Sequence, residues 1–385
     1  MRILYLAHDL DDAAIWRRVA MLEAGGASVS VAGFRRGSGA LERPALVLGQ
    51  TANGRMVARM RSVAALVPQI RARLEASGVE TPDLVLARNL EMLALGRSYL
   101  RGRAAIPLIY ELLDIHRLMI GQGRVARGLR KIEAWLMARC ALVLVSSQGF
   151  VRHYLERYRQ PARAVALVEN KPLMLNGPGP ATARTAPITP NCITIGWFGI
   201  LRCQWTLETL DLLTRRHPGR FHIVLRGKPA LDVLPKFHET VADNPDMSFE
   251  GAYRWPDDLP EIYSACDMAM LIDRYDAGAN SDWLLPNRLY EGCLFGAVPI
   301  SLSDTELGHS LAARGVGLRV TSPEATIDSL AAVTPEALAG LRATLAGLPR
   351  ETWYADATDC ADLVERLREC LPTQDAADPP QKYVA

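Results

Sequence analysis

Apolar and polar positions along the chain repeat one theme: a short apolar run, a polar turn, then a segment with apolar residues three and four apart. The run Arg2–Ala7 predicts a strand, followed by a loop over His8–Asp12 and an amphipathic helix reaching about Ala24. Gly25-Gly26 stops that helix before a strand over Ser28–Ala32. This βαβ opening predicts a parallel sheet and an α/β fold. Further strands are predicted over Leu84–Leu86, Ile106–Tyr110, Ala141–Val145 and Val165–Val168, with helical segments over Arg55–Ala76 and Ile132–Ala138. The rhythm pauses at 172–190, rich in Pro and Gly, which read as a linker allowing two lobes to hinge. It then restarts. Strand Cys192–Phe198, turn Gly199–Arg202 and helix Thr206–Arg216 lead to a strand Arg220–Leu225 ending in Arg226-Gly227-Lys228. A short strand at Ser248–Gly251, a helix Pro260–Ala265, a strand Asp267–Leu271 and a loop Asp273–Asp282 follow. Helix Pro335–Leu345 and a last helix Tyr354–Cys370, opened by Trp353, end the pattern.

The stretch Trp283–Ile300 carries the most chemistry. Pro286 suits a first helical turn, Gly296 a helix stop, and Val298-Pro299-Ile300 the start of a buried strand. Asn287 and Glu291 stand four apart and share a face, with Arg288 between them. A helix start of this kind attracts an anion. A carboxylate one turn on would repel a phosphate beside it, but would accept two hydrogen bonds from a pair of hydroxyls such as those of a ribose. Together they describe a nucleotide diphosphate. The same residues also fit an ordinary βα unit with Glu291 as a solvated surface charge.

Leu285-Pro-Asn-Arg-Leu-Tyr-Glu-Gly292, with Gly296-Ala-Val-Pro-Ile300 after it, resembles the donor-binding helix of GT-B glycosyltransferases of the family 4 type. It is most similar there to bacterial exopolysaccharide, succinoglycan-type, sugar transferases. The resemblance spans nearly the whole chain and is specific at 283–300 and, less so, at 248–271. It implies two Rossmann-like domains and a donor ribose held by Glu291, with a crossover helix at 351–371 bracing the first domain. The domains implied are 1–171, binding the acceptor, and 191–350, binding the nucleotide-sugar; 372–385 read as a disordered tail. Many relatives carry a second acidic residue two turns before the glutamate. Trp283 stands there and Asp282 is one residue off register, so no catalytic role passes to Asp282.

Composition changes the picture little, and charge changes it more. At 385 residues, 49% hydrophobic and 22% charged, the chain fits two soluble domains. No apolar run approaches a membrane span, and the opening Met1–Asp9 is too soon acidic for a signal peptide. Seven scattered cysteines without metal spacing suggest reduced thiols and a cytoplasmic setting. Residues 1–190 hold 27 Lys and Arg against 14 Asp and Glu, a net +13; residues 191–385 hold 17 against 28, a net −11. A basic first half faces something anionic. Arg55, Arg59, Arg61, Arg71 and Arg73 flank one apolar stripe, and Arg124, Arg127, Arg130 and Lys131 precede another. Such helices either pack on a sheet with a solvated face or lie on an anionic membrane. The polyprenyl-linked acceptors common in the family resembled would explain the second use, on the inner face of the cytoplasmic membrane; no nucleic acid partner is expected.

There is no G-x-G-x-x-G after the first strand, against a nicotinamide or flavin site. His8, Asp9, Asp11 and Asp12 lie in the first strand-to-helix loop, where open sheets place ligands, with helix capping by Asp11 or Asp12 as the alternative. Glu111, Asp114 and His116 form the densest titratable cluster at a strand end and are candidates to activate an acceptor hydroxyl. Asp114 resembles the aspartate of a His-Asp or Arg-Asp segment in many relatives; here Leu113 precedes it. In the second half, Gly199 opens the first turn. Arg202, Arg226 and Lys228 are candidates to clamp a diphosphate leaving group beside Asn287 and Arg288. Arg202 fits the arginine that relatives place there, while Gln204-Trp205 stands near their lysine. No Asp-x-Asp adjoins this site, so a metal-independent transfer is expected, from a nucleotide-diphosphate sugar, UDP-hexose foremost, to a saccharide acceptor. A nucleotide-sugar 2-epimerase of the same fold and a catalytically silent scaffold are the rival readings.

Overall fold

The computed structural model describes residues 1–41, 43–50, 63–179 and 192–372. Two compact units emerge: Met1–Ser146, Val151–Val168 and the chain from Ala357 form one, Ser147–Phe150 and Glu169–Asp356 the other.

The first unit is built on β1 (Arg2–Ala7), β2 (Ser28–Arg35), β3 (Leu46–Gln50), β4 (Leu84–Arg88), β5 (Leu108–Leu112), β6 (Leu142–Val145) and β7 (Val165–Leu167), in the order β3-β2-β1-β4-β5-β6-β7. The described pairings are parallel. Helices cover both faces, so β4, β5 and β6 are buried at every position; β6 is wholly apolar, while Arg88 ends β4 and Glu111 interrupts β5. Asp12 starts helix Ala13–Ala24 by accepting from Ala14 N at 2.9 Å. The last helix, Ala357–Arg368, packs against it. A Cβ on Gly25 would lie 2.3 Å from the Cys360 carbonyl oxygen, so glycine permits that approach.

The second unit uses β8 (Ile193–Leu201), β9 (Phe221–Pro229), β10 (Met247–Phe249), β11 (Met268–Met270), β12 (Val298–Leu302) and β13 (Leu318–Val320), ordered β10-β9-β8-β11-β12-β13 and again parallel. Strand alternation feeds two cores. Ile193, Ile195 and Trp197 of β8 join Leu207, Leu210 and Phe221 on one face, while Phe198 joins Tyr263, Leu289 and Tyr290 on the other. Each such buried side chain contributes about 1.5–3 kcal/mol.

Several expectations are corrected. The Gly199–Arg202 turn is the end of β8, and Arg226-Gly227-Lys228 lies within β9, because Gly199 (φ 99°) and Gly227 (φ 125°) pair in register and let the strands continue to Leu201 and Pro229. Pro286 is extended (φ −71°, ψ 148°) and precedes helix Asn287–Leu294 as its cap. Trp353 and Tyr354 are buried in the second unit's core and do not open the last helix. The loop over Asp273–Asp282 contains the start of a short helix, Asn280–Trp283. Pro172–Met174 is tied to Ala355 by paired backbone bonds, which fixes the start of the expected linker within the second unit. Residues 180–190, the tail from 373, and Arg55, Arg59 and Arg61 lie outside the described residues. Of the remaining arginines of that stripe, Arg71 donates to the Tyr99 carbonyl and Arg73 to the Val47 carbonyl, each at 3.2 Å, so both serve the fold. Among the described residues no helix is long and apolar enough to cross a membrane.

Candidate functional site

Open parallel sheets bind ligands at the carboxyl edge where strand order reverses. In the second unit that point lies between β8 and β11. Just beyond β8 stands Arg202, and just beyond β11 stands Asp273. Arg202 Nε and Arg288 Nη2 each lie 3.8 Å from the same Asp273 Oδ2. Arg288 also donates to the Phe198 carbonyl at 3.4 Å, and Arg202 stacks 4.7 Å from the Tyr275 ring centre. These are loose pairs, compatible with both guanidinium groups turning to a stronger anion. Gly199 keeps the floor low: a Cβ there would lie 3.9 Å from both Arg288 Cδ and Tyr253 Oη.

Glu291 is only 3% exposed, which removes the reading of a solvated surface charge. Its Oε1 accepts from Trp255 Nε1 at 2.9 Å and its Oε2 from Tyr263 Oη at 3.2 Å. Burial, then the Glu291 charge, pushes the neighbouring Tyr253 phenol up to about 12 and the Tyr263 phenol well above its usual range, so both remain O–H groups. Asn287 opens the same helix and is half-buried. The expected clamp is redistributed: Arg202 and Arg288 come together, while Arg226 turns to Glu250, its Nε at 3.4 Å, and Lys228 stands exposed in β9.

In the first unit the strand order reverses between β1 and β4. His8 follows β1, and Asn89 follows β4 in the left-handed region at φ 71°. Both line a cavity of about 400 Å³ together with Asp114 and His116. His116 Nδ1 accepts from Leu118 N at 3.2 Å and caps helix Arg117–Ile120, so in the neutral ring the proton sits on Nε2. His116 Nε2–H can thus donate outward, and Asp114, two residues before it, is an exposed carboxylate.

Glu111 is elsewhere. It is fully buried, 2.6 Å from Arg18 Nε, 2.6 Å from Tyr5 Oη and 3.8 Å from Arg88 Nε. Burial would raise its carboxyl pKa, but Arg18 and then Arg88 outweigh that and hold it below the usual range. The expectation of a catalytic Glu111 is therefore corrected: it ties its own strand to β1, β4 and helix Ala13–Ala24, out of reach of a substrate. The acidic loop is likewise structural. Asp9 pairs with Arg36 at 2.9 Å, and Asp11 accepts from Arg36 N and Gly37 N at 2.7 Å each. Asp12 is the helix cap. Among the described residues no three His, Cys, Asp or Glu side chains gather as a metal site.

Sequence reasoning missed Asp273, Trp255, Tyr263 and the cavity that His8 and Asn89 line together. Asp273 had a signal, an acidic residue directly after a strand; the others come together only through topology.

No family model matches the chain. The succinoglycan biosynthesis protein ExoL of Rhizobium meliloti (strain 1021) is 41% identical over 381 residues, spanning 95% of this chain and 93% of that protein. Among solved structures, HepE of Anabaena in complex with UDP and glucose superposes with a TM-score of 0.65 at 15% identity, covering 96% of this chain and all of HepE. Sucrose-phosphate synthase of Thermosynechococcus elongatus gives 0.69 at 15% identity, with 96% and 98% covered. At such identities the structures speak for the fold, and the ExoL match speaks for the family. The chain has the GT-B fold of glycosyltransferases and belongs to the family of the exopolysaccharide biosynthesis protein ExoL.

Proposed function

We propose that this glycosyltransferase of exopolysaccharide biosynthesis moves a hexose from a UDP-sugar to a hydroxyl of a lipid-linked saccharide. The observation that carries the reading is the meeting of Arg202 and Arg288 at the reversal of the second sheet, on the helix that also bears the buried Glu291. The two guanidinium groups leave Asp273 for the diphosphate, whose charge grows as its bond to the anomeric carbon breaks. Asn287, at the helix start, adds a polar group beside the phosphate. The ribose hydroxyls donate to the Glu291 carboxylate in place of the Trp255 N–H. HepE, crystallised with UDP and glucose, supports the choice of nucleotide. No metal is required where two arginines neutralise the leaving group.

On the first unit the acceptor hydroxyl gives its proton to Asp114 as its oxygen bonds the anomeric carbon, and His116 Nε2–H orients that oxygen. Helix Arg124–Met137 exposes Val125 (67%), Ile132 (52%) and Trp135 (58%) beside Arg124, Arg127 and Lys131. Apolar and cationic groups on one exposed face suit peripheral contact with an anionic bilayer.

Asp114→Asn tests the acceptor side. A general base supplies about 10²–10⁴ in rate. The variant is expected to lose at least about 100-fold in acceptor-dependent release of UDP while its melting temperature and UDP-sugar binding stay unchanged. An Asp114→Asn enzyme with full turnover would remove Asp114 from this role.

A further inference from the structure

The groups that take the donor in the proposed function already have partners within the second unit, and each partner copies the chemistry of one half of a nucleoside diphosphate. On the phosphate side, Asp273 offers a carboxylate to two cations: its Oδ2 lies 3.8 Å from both Arg202 Nε and Arg288 Nη2. Its other oxygen, Oδ1, accepts from Tyr275 N at 2.8 Å, so the carboxylate is fixed by its own turn and stays in place when the arginines leave. On the ribose side, Trp255 brings an N–H donor to Glu291 Oε1 at 2.9 Å, as a hydroxyl would. Tyr263, which donates to Glu291 Oε2 at 3.2 Å, is buried and reaches the carboxylate from the core. Trp255 is 37% exposed and reaches it from the solvent side. The indole sits in the turn between β10 and helix Leu259–Ser264, a turn closed by Arg254 N donating to Asp258 Oδ2 at 2.7 Å and by Asp258 N donating to the Arg254 carbonyl at 2.9 Å. Trp255 lies outside the strands, so its side chain can swing out without opening the sheet.

We infer that Trp255 and Asp273 are internal competitors of the donor. The indole N–H holds the ribose position on Glu291, and the Asp273 carboxylate holds the diphosphate position between Arg202 and Arg288. The nucleotide binds the fraction of protein in which these contacts are open, so its apparent affinity falls in proportion to that fraction. The same contacts support the ligand-free protein, because a buried carboxylate short of donors and two guanidinium groups facing one another without an anion are both unfavourable. Stability and affinity are therefore opposed at these two residues: losing either contact weakens the fold and strengthens binding. A side chain that simply touches the nucleotide loses affinity when it is removed, so the sign of the change separates the two roles. The inference rests on the reading of the second unit as the donor side.

The test measures equilibrium dialysis of labelled UDP against the full chain, with uridine and inorganic pyrophosphate as unlabelled competitors that each carry one half of the ligand. Trp255→Phe keeps an aromatic ring and removes the N–H. It is expected to bind UDP and uridine about 10-fold tighter and pyrophosphate unchanged. Asp273→Asn keeps the acceptor for Tyr275 N and removes the charge. It is expected to bind UDP and pyrophosphate about 10-fold tighter and uridine unchanged. Both ligand-free variants are expected to melt below the wild type. Unchanged or weaker uridine binding in Trp255→Phe would overturn the inference, as would unchanged or weaker pyrophosphate binding in Asp273→Asn. Either result beside firm UDP binding by the wild type would leave the proposed function standing. A wild type that binds no UDP would overturn the inference and the proposed donor together.

Discussion

Arg18→Met is expected to lower stability by about 3–5 kcal/mol at neutral pH, because it strands the Glu111 carboxylate without its closest cation. Arg18 is 4% exposed and Glu111 fully buried, so solvent cannot take the place of the guanidinium. Arg88 remains, but at 3.8 Å and already engaged with Tyr5 Oη at 3.3 Å. The pH dependence has a definite sign. The folded-state pKa of Glu111 lies below its unfolded value, so the stability this network adds is complete above the unfolded pKa of about 4.3 and is lost as pH falls through the folded one. In Arg18→Met the carboxyl keeps its proton to higher pH. The loss relative to the wild type is therefore greatest near neutrality and shrinks toward pH 4. Pairing the change with Glu111→Leu is expected to restore much of the stability, since an apolar replacement of a buried pair leaves no uncompensated charge. Urea unfolding at pH 7 and pH 4 reads all three proteins. A single variant within about 1 kcal/mol of the wild type at pH 7, or a loss independent of pH, would contradict the structural role given to Glu111.

Gly227→Ala is expected to cost more than about 3 kcal/mol and to damage the donor side at the same time. The residue holds φ 125°, which L side chains rarely adopt, and a Cβ there would lie 2.0 Å from the Gly199 carbonyl oxygen. That oxygen belongs to the neighbouring strand and cannot swing aside as a side chain would. Strands β8 and β9 must part, carrying with them the segment that leads into Arg202 and the Phe198 carbonyl that holds Arg288. Gly219→Ala separates strain from collision, since Gly219 also has positive φ, 70°, but open space where the Cβ would go. It is expected to cost about 1 kcal/mol and to leave nucleotide binding untouched. Comparable losses in the two variants would show that the close pairing of Gly199 and Gly227 is not what fixes this edge.

What the sequence disclosed and what it hid divide along a physical line. Strands such as Arg2–Ala7, buried on both faces, announce themselves as unbroken apolar runs, and the helix after Pro286 follows from spacing within a few residues. Arg288 and Arg202 were legible as candidates because each sits at a helix or strand end, and Glu291 because it stands one turn on from Asn287 on the same face. Their common partner was not, because Asp273 meets them only through the order β8-β11, which skips two strands in sequence. Glu111 was misjudged for the same reason. It ends a strand beside Asp114, yet its environment is set by Tyr5, Arg18 and Arg88, between 23 and 106 positions away. His8 and Asn89 are likewise distant in sequence and neighbours in the cavity wall by virtue of the β1-β4 pairing. Local pattern reports which residues end up inside or at an edge; which edge residues face one another is decided by topology.

In the proposed function the second unit holds a nucleotide-diphosphate sugar with Glu291 on its ribose. Its most direct test is a melting-temperature panel of the full chain against UDP-, GDP-, ADP- and dTDP-sugars, run beside Glu291→Gln. A ligand at 100 times its dissociation constant stabilises the native state by about 2.7 kcal/mol. A clear upward shift with UDP-sugars is predicted for the wild type, with affinity weakened at least about 10-fold in Glu291→Gln as a charge-assisted bond is lost. No shift with any nucleotide-sugar, or an equal shift in the variant, would contradict the account.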